Sequence, residues 1–368
     1  MWLKQLRVFN FKNYPEAELN FLPQANVITG QNGAGKTNIL DAIHYLSLCK
    51  SYFNPIDSQQ IKTGENWFMV QGDFEKEGGV DKISCSLKRN QKKLFERNKK
   101  KYSRLADHIG LYPIVMVTPN DTVIVMGGSE ERRRFMDNVI SQTDSHYLDH
   151  LIVYNKVLQQ RNALLKNAVE KGFLDDSLLS VFDHQLVEAG VQIFEKRNAF
   201  LTHFLPKFNE HYEYLSSEAE RVRLTYKSPL LDNEFLDVLR ENKEKDLIMG
   251  RTTQGIHRDD LVFEIHEEMP LKKFGSQGQQ KSFLIALKLA QYSFLKEKKN
   301  FPPLLLLDDI FDKLDAVRVE KLMDMVSNGA FGQIFITDTD ALRTQAVFEK
   351  INKPVRLFKV ENGQLTQK

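Results

Sequence analysis

The sequence predicts an α/β protein, with a mixed core built from both ends of the chain and a mainly helical lobe inserted between them. Three observations carry this expectation. Short β-type runs alternate with helical stretches over residues 1–125 and again over 255–368. Residues 126–254 are instead rich in Leu, Lys, Glu, Asn and Gln, with few strand signals. The runs Leu304-Leu305-Leu306-Leu307 and Gln333-Ile334-Phe335-Ile336-Thr337 are continuous and apolar, as parallel strands buried on both faces are.

Composition bounds the answer. The 368 residues suffice for one large or two modest domains, and 42% hydrophobic with 27% charged residues is ordinary for a globular chain. The charge is +2, from 51 Lys and Arg against 49 Asp and Glu, so attraction to a polyanion must come from local patches. Cys49 and Cys85 form neither a metal-ligand spacing nor a disulfide framework. Met1 to Arg7 carries no apolar stretch of the secretory kind, and Leu304 to Leu307 is too short to span a bilayer. A cytoplasmic location is therefore expected. No internal repeat or low-complexity tract is evident.

The first element is Gly30-Gln31-Asn32-Gly33-Ala34-Gly35-Lys36-Thr37, a complete GxxxxGK[ST] match. Val27-Ile28-Thr29 supplies a preceding strand; Asn38 to Leu48 supplies a following helix with Ile39, Ile43 and Leu46 on one face. Three glycines let the backbone curl its N–H groups towards phosphate oxygens, and the helix N-terminus adds its positive dipole end. This pattern points to ATP, with Lys36 reaching the β- and γ-phosphates and the Thr37 hydroxyl on Mg²⁺.

The second element is Pro303-Leu304-Leu305-Leu306-Leu307-Asp308-Asp309. A buried strand holds a carboxylate rigidly, so Asp308 is expected beside Mg²⁺. Asp309 is placed to polarise an attacking water as a general base. Many related sites carry Glu there; the shorter Asp points to slow turnover.

The third element is Gly275-Ser276-Gln277-Gly278-Gln279-Gln280-Lys281, which contains an S-x-G-Q core. An apolar stripe of Phe283, Ala286, Leu287, Ala290 and Phe294 follows, so the motif opens a helix, as anion binding requires. The bland alternative is an ordinary N-cap serine before a core helix. With the phosphate loop and the acidic strand, it identifies an ABC-type P-loop ATPase head carrying a helical insert. In such heads Ser276, Gly278 and Gln279 would complete the ATP site of a second subunit. Leu314-Asp315 resembles the loop at that dimer contact, although Lys313 replaces the usual acidic residue. Thr337-Asp338-Thr339 ends a strand where such proteins often place a histidine; a plain strand end is the simpler reading.

Longer segments then resemble the RecF family. They are Leu3 to Tyr14, Gly33 to Ile43 (with Asp41 where the family usually has Glu), Pro119-Asn120-Asp121 followed by Val125 to Gly128 and Arg132 to Asp137, and Gly255 to Leu261. Ser129 and Ile256 stand where the family commonly has Pro. The resemblance runs in order along nearly the whole chain. It implies a protein that dimerises on ATP, binds single-stranded, duplex or gapped DNA and hydrolyses ATP slowly, with DNA stimulation. It further implies action with RecO and RecR to load RecA at single-strand gaps, supporting repair, replication restart and the SOS response.

A DNA contact is sought in Lys88 to Tyr102, where eight of fifteen residues are basic and one is acidic. Lys88, Arg89, Lys92, Lys93, Lys99, Lys100 and Lys101 are the candidates, since such a run attracts phosphate without reading sequence. A solvated hairpin turning at Asn98-Lys99 is the alternative. For Arg132-Arg133-Arg134 a structural role is favoured, one arginine pairing with Asp137 or Glu130. His257-Arg258-Asp259-Asp260 reads as a hydrogen-bonded corner rather than a catalytic group.

Three other functions are weaker. A transporter subunit would place the signature much closer to the phosphate loop than Ser276 lies from Thr37. A long coiled-coil protein would need sustained heptads, which are not seen. A scaffold that never hydrolyses would be indifferent to Asp309→Asn.

Overall fold

The computed structural model describes residues 1–76, 78–216, 221–266, 268–310, 316–340, 354–361 and 363–367. Lys313, Leu314 and Asp315 lie outside the described residues. Along the chain come β1 (Trp2–Phe11), β2 (Tyr14–Asn20), β3 (Ala25–Thr29), α1 (Lys36–Leu48), β4 (Trp67–Lys76), β5 (Gly79–Lys88), β6 (Leu94–Arg97), β7 (Lys100–Lys101) and β8 (Ile114–Val117). There follow α2 (Thr122–Met126), α3 (Ser129–Ser141), α4 (Ser145–Lys171), α5 (Asp176–Leu215), β9 (Val222–Lys227), α6 (Phe235–Glu241), α7 (Lys243–Met249), β10 (Asp260–Ile265), β11 (Met269–Pro270) and α8 (Leu271–Phe274). The chain ends with α9 (Gln277–Lys299), β12 (Leu304–Leu307), α10 (Ala316–Ser327), β13 (Ile334–Asp338), β14 (Val355–Glu361) and β15 (Gln364–Gln367). Two compact units result, Met1–Asp121 with Lys281–Lys368, and Thr122–Gln280.

In the first unit the apolar runs become the interior of a sheet ordered β15-β14-β3-β13-β12-β8. Every residue of β3, β8, β12 and β13 is buried. β14, β3, β13, β12 and β8 pair in parallel. Both faces of such strands are covered, so continuous hydrophobicity replaces alternation. A second, antiparallel sheet is ordered β2-β1-β4-β5-β6-β7. There the pattern alternates: Phe68, Val70 and Phe74 of β4 are buried and Met69 and Gln71 are not.

One apolar core joins the two sheets, and α1 runs through it. Ile39, Leu40, Ile43 and Leu46 share a cluster with Phe68 and Val70 of the antiparallel sheet and with Leu304 and Leu306 of the parallel one. The sequence places α1's apolar residues on a single face; instead Ile39 to Leu48 is buried throughout. Each fully buried Leu or Ile contributes about 1.5–3 kcal/mol, so the helix that follows the phosphate loop is strongly fixed.

In the second unit α4 and α5 form a long pair. Gly172, at φ 70°, closes α4, and the Asp175 side chain accepts from the Leu178 N–H to start α5. The unit extends past the lobe expected over 126–254, because β9 pairs along its length with β10 and β10 with β11. A boundary at 254 would separate ladder partners. β9 is a short run, Val222 to Lys227, that alternates Val, Leu and Tyr with Arg, Thr and Lys, and its partner lies far along the chain.

Candidate nucleotide site

Parallel strands β3, β13 and β12 are neighbours in register: Asp338 faces Thr29 and Ile336 faces Leu307. Their C-terminal ends therefore open at one sheet edge, where ligands bind in open α/β sheets. The phosphate loop leaves β3, the acid pair leaves β12 and Thr337 lies at the end of β13.

The loop turns through Gly33 at φ 79° and Gly35 at φ 114°, values L side chains rarely adopt, and Gly35 caps α1. A Cβ at Gly35 would lie 2.3 Å from the Asn13 side-chain nitrogen. That proximity reflects a brace: Asn13 donates to the Ala34 carbonyl at 2.9 Å and accepts from the Asn38 side chain at 2.7 Å. The Tyr14 hydroxyl donates to the Gly35 carbonyl at 3.0 Å. Neither residue shows a role in the sequence, because both lie about twenty residues upstream of the loop in a different strand pair.

Lys36 is 3% exposed, and its ammonium donates to the Gly30 and Gln31 carbonyls at 2.9 and 3.3 Å. Its Nζ lies 3.9 Å from the Asp309 carboxylate. The Thr37 hydroxyl donates to Asp308 Oδ1 at 2.8 Å. Thr337 donates to the same oxygen at 2.7 Å and accepts the Asp309 N–H at 2.9 Å. Burial holds the Asp308 carboxyl above its usual range, with the Thr337 and Thr37 hydrogen bonds opposing it. The structure thus brings together residues from two sequence-distant motifs, the phosphate loop and the acidic strand end. It also adds Thr337, at the strand end where such proteins often place a histidine and for which the sequence favours a plain strand end.

Thr37 and Asp308 offer hard oxygen donors side by side, the donor type that Mg²⁺ takes, so the residues present fit a Mg–nucleotide. No cluster of three or more His, Cys, Asp or Glu ligands occurs among the described residues.

The signature opens α9. Ser276 is exposed and starts the helix as a capping box: the Gln279 N–H donates to Ser276 Oγ at 3.2 Å, and the Ser276 N–H donates to Gln279 Oε1 at 2.7 Å. Gly278 is partly exposed at the same helix start.

The basic run forms β6, β7 and the end of β5. Asn98 and Lys99 have φ 52° and 65° and join Arg97 to Lys100, the two-residue turn expected there. Lys88, Arg89, Lys92, Lys99, Lys100 and Lys101 are exposed. Lys93 is the correction. It pairs with Asp57 at 2.8 Å, donates to the Cys49 carbonyl at 2.6 Å and lies over the Tyr45 ring, so internal partners occupy the charge meant for DNA.

The arginine cluster and the histidine corner have partners within the chain. Arg132 grips Asp260 at 2.7 and 3.0 Å, Arg133 donates to the Asp259 carbonyl at 2.6 Å and Arg134 pairs with Glu130 at 2.6 Å. Asp137, the other expected partner, is taken by Arg197. His257 Nε2 lies 3.2 Å from the Thr252 carbonyl, which only accepts, so that nitrogen carries the proton. Nδ1 then accepts from Tyr154 at 2.8 Å. Burial lowers the His257 pKa to about 4, which keeps the ring neutral.

Residues 2–366 match the model of the RecF/RecN/SMC N terminal domain. A protein of Phocaeicola vulgatus named DNA replication and repair protein RecF is 49% identical over 370 residues, covering 100% of this chain and 99% of its own. The chain belongs to the RecF family. A solved structure of the recombination mediator protein RecF with ATP in the RecFOR pathway is 29% identical with a TM-score of 0.89, covering 100% of this chain and 97% of its own. The Smc head domain of Pyrococcus furiosus, 17% identical with a TM-score of 0.59 over 100% of this chain and 96% of its own, shares the fold. RecF membership and that fold make this an α/β ABC-type ATPase head with a helical lobe. No helix among the described residues is long and apolar enough to cross a membrane.

Proposed function

We propose that the protein is an ATP-gated DNA-binding ATPase of recombinational repair and replication restart. The observation that carries this is the junction of Thr37, Asp308 and Thr337, which brings the phosphate loop onto the acidic strand end. The likeness to RecF solved with ATP and named for the RecFOR pathway supports it.

In this reading the loop from Gly30 to Thr37 cradles the triphosphate with backbone N–H groups and the N-terminus of α1. Lys36 moves its ammonium from loop carbonyls to phosphate oxygens. Thr37 and Asp308 hold the cation, which when bound neutralises charge on those oxygens. Asp309 accepts the proton of the water attacking the terminal phosphate; its short side chain keeps turnover slow. Ser276, Gly278 and Gln279 of a second copy close the site, so ATP joins two subunits. DNA lies against the exposed lysines of the β6–β7 hairpin and raises the rate of hydrolysis. RecO, RecR and RecA are the expected partners in gap repair and the SOS response, in the cytoplasm.

Asp309→Asn tests the chemistry. Hydrolysis should fall at least tenfold while ATP binding persists and the dimer lasts longer. Unchanged turnover would remove Asp309 from the mechanism and leave a non-hydrolysing scaffold.

A further inference from the structure

We propose that Thr337 is a positioning residue that sets both acids of the hydrolytic site through one hydroxyl group. The inference rests on the nucleotide-site reading above and adds a residue to it. The direction of each hydrogen bond follows from the groups. The Asp309 N–H can only donate, so Thr337 Oγ1 is its acceptor at 2.9 Å. The hydroxyl proton is then free for Asp308 Oδ1, 2.7 Å away, and an ionised carboxylate only accepts. The chain therefore runs one way, from the Asp309 amide through the Thr337 hydroxyl to the Asp308 carboxylate, and each bond polarises the next.

Two consequences give this relay a function. First, Asp308 Oδ1 takes hydroxyl protons from Thr37 at the start of α1 and from Thr337 of β13. That fixes the plane of its carboxylate and leaves lone pairs on the Thr37 oxygen for a cation. Second, Asp309 sits at φ 43°, in the left-handed region, which costs a non-glycine residue of order 1 kcal/mol. The bond from its N–H to Thr337 holds that conformation, and the conformation sets where its carboxylate points, 3.9 Å from the Lys36 ammonium. Threonine suits this role because it is fully buried and its β-branching limits χ1, so the hydroxyl does not wander.

The test compares Thr337→Val, which keeps shape and removes the hydroxyl, with Thr337→Ser, which keeps the hydroxyl. Three quantities are read: nucleotide affinity in EDTA, Mn²⁺ affinity of the ADP-loaded protein by electron paramagnetic resonance, and kcat. Losing a hydrogen bond to a charged group corresponds to about 10- to 100-fold. Thr337→Val should weaken Mn²⁺ affinity and lower kcat by about that factor, leave EDTA affinity within about threefold, and be largely rescued by Thr337→Ser. In an Asp308→Asn background the Mn²⁺ effect of Thr337→Val should shrink, because the two residues act as one unit. Wild-type Mn²⁺ affinity in Thr337→Val, full additivity with Asp308→Asn, or equal losses in both Thr337 variants would overturn the proposal. A Lys36→Ala protein that still binds nucleotide would instead overturn the parent reading, whatever Thr337 does.

Discussion

Gly35→Ala probes the phosphate loop most sharply. A Cβ at this position would sit 2.3 Å from Asn13 Nδ2 and 2.8 Å from Oδ1, well inside contact distance. At φ 114° the backbone itself disfavours any side chain, at about 1–3 kcal/mol. Moving Asn13 aside forfeits its bonds to the Ala34 carbonyl and the Asn38 amide, about 0.5–1.5 kcal/mol each. The combined strain is about 2–6 kcal/mol if the loop keeps its shape. The loop relaxes rather than bear it, so the cost appears as lost nucleotide affinity, at least about 30-fold. Equilibrium titration with a fluorescent ATP analogue measures this. Asn13→Ala combined with Gly35→Ala removes the collision but not the strained φ, so it should recover only part of the loss. Wild-type affinity in Gly35→Ala would refute the claim that this loop geometry holds the phosphates.

Arg197→Met removes a buried cation that pairs with Asp137 and Asp259 and donates to the Ile256 carbonyl; stranding Asp259 should cost about 3–5 kcal/mol, read as a lower urea midpoint for the Thr122–Gln280 unit. Replacing Lys99, Lys100 and Lys101 together by Gln should reduce the slope of log affinity for DNA against log salt by about 2–3, whereas Lys93→Met should lower thermal stability and leave that slope unchanged. Burial lowers the pKa of His44, His108 and His257 from 6.5 to about 4 each. The unfolded chain therefore takes up protons first, and stability is lost as pH falls from about 6.5 towards about 4. Asp259 and Asp308, whose carboxyls are raised, pull the other way, so chemical denaturation at pH 7 and pH 5 should show a net loss that shrinks when His257 is replaced by Phe.

Much of the site is legible because its chemistry is written in contiguous residues. Gly30 to Thr37 reads as a phosphate loop with no knowledge of the fold, since spacing alone sets the turn. Leu304 to Asp309 is legible for the same reason: four apolar residues fix the strand and the next two must emerge at its end. What stays hidden depends on pairing across long sequence distances. Thr337 gains its role only when β13 lies beside β12, and Asn13 only when the β1–β2 connection meets the loop. Lys93 misleads because charge density in a sequence does not say which lysines turn inward; Asp57 and the Cys49 carbonyl decide that. β9 escapes for want of a local partner.

Sedimentation velocity of the full chain, with and without saturating ATP and Mg²⁺, bears most directly on the claim that ATP is shared between two copies through Thr37 of one and Ser276 of the other. The account predicts a monomer that becomes a dimer with ATP, and monomers under both conditions for Lys36→Ala and for Ser276→Arg, the latter still binding nucleotide. A Ser276→Arg protein that dimerises on ATP as well as the wild type does would contradict it.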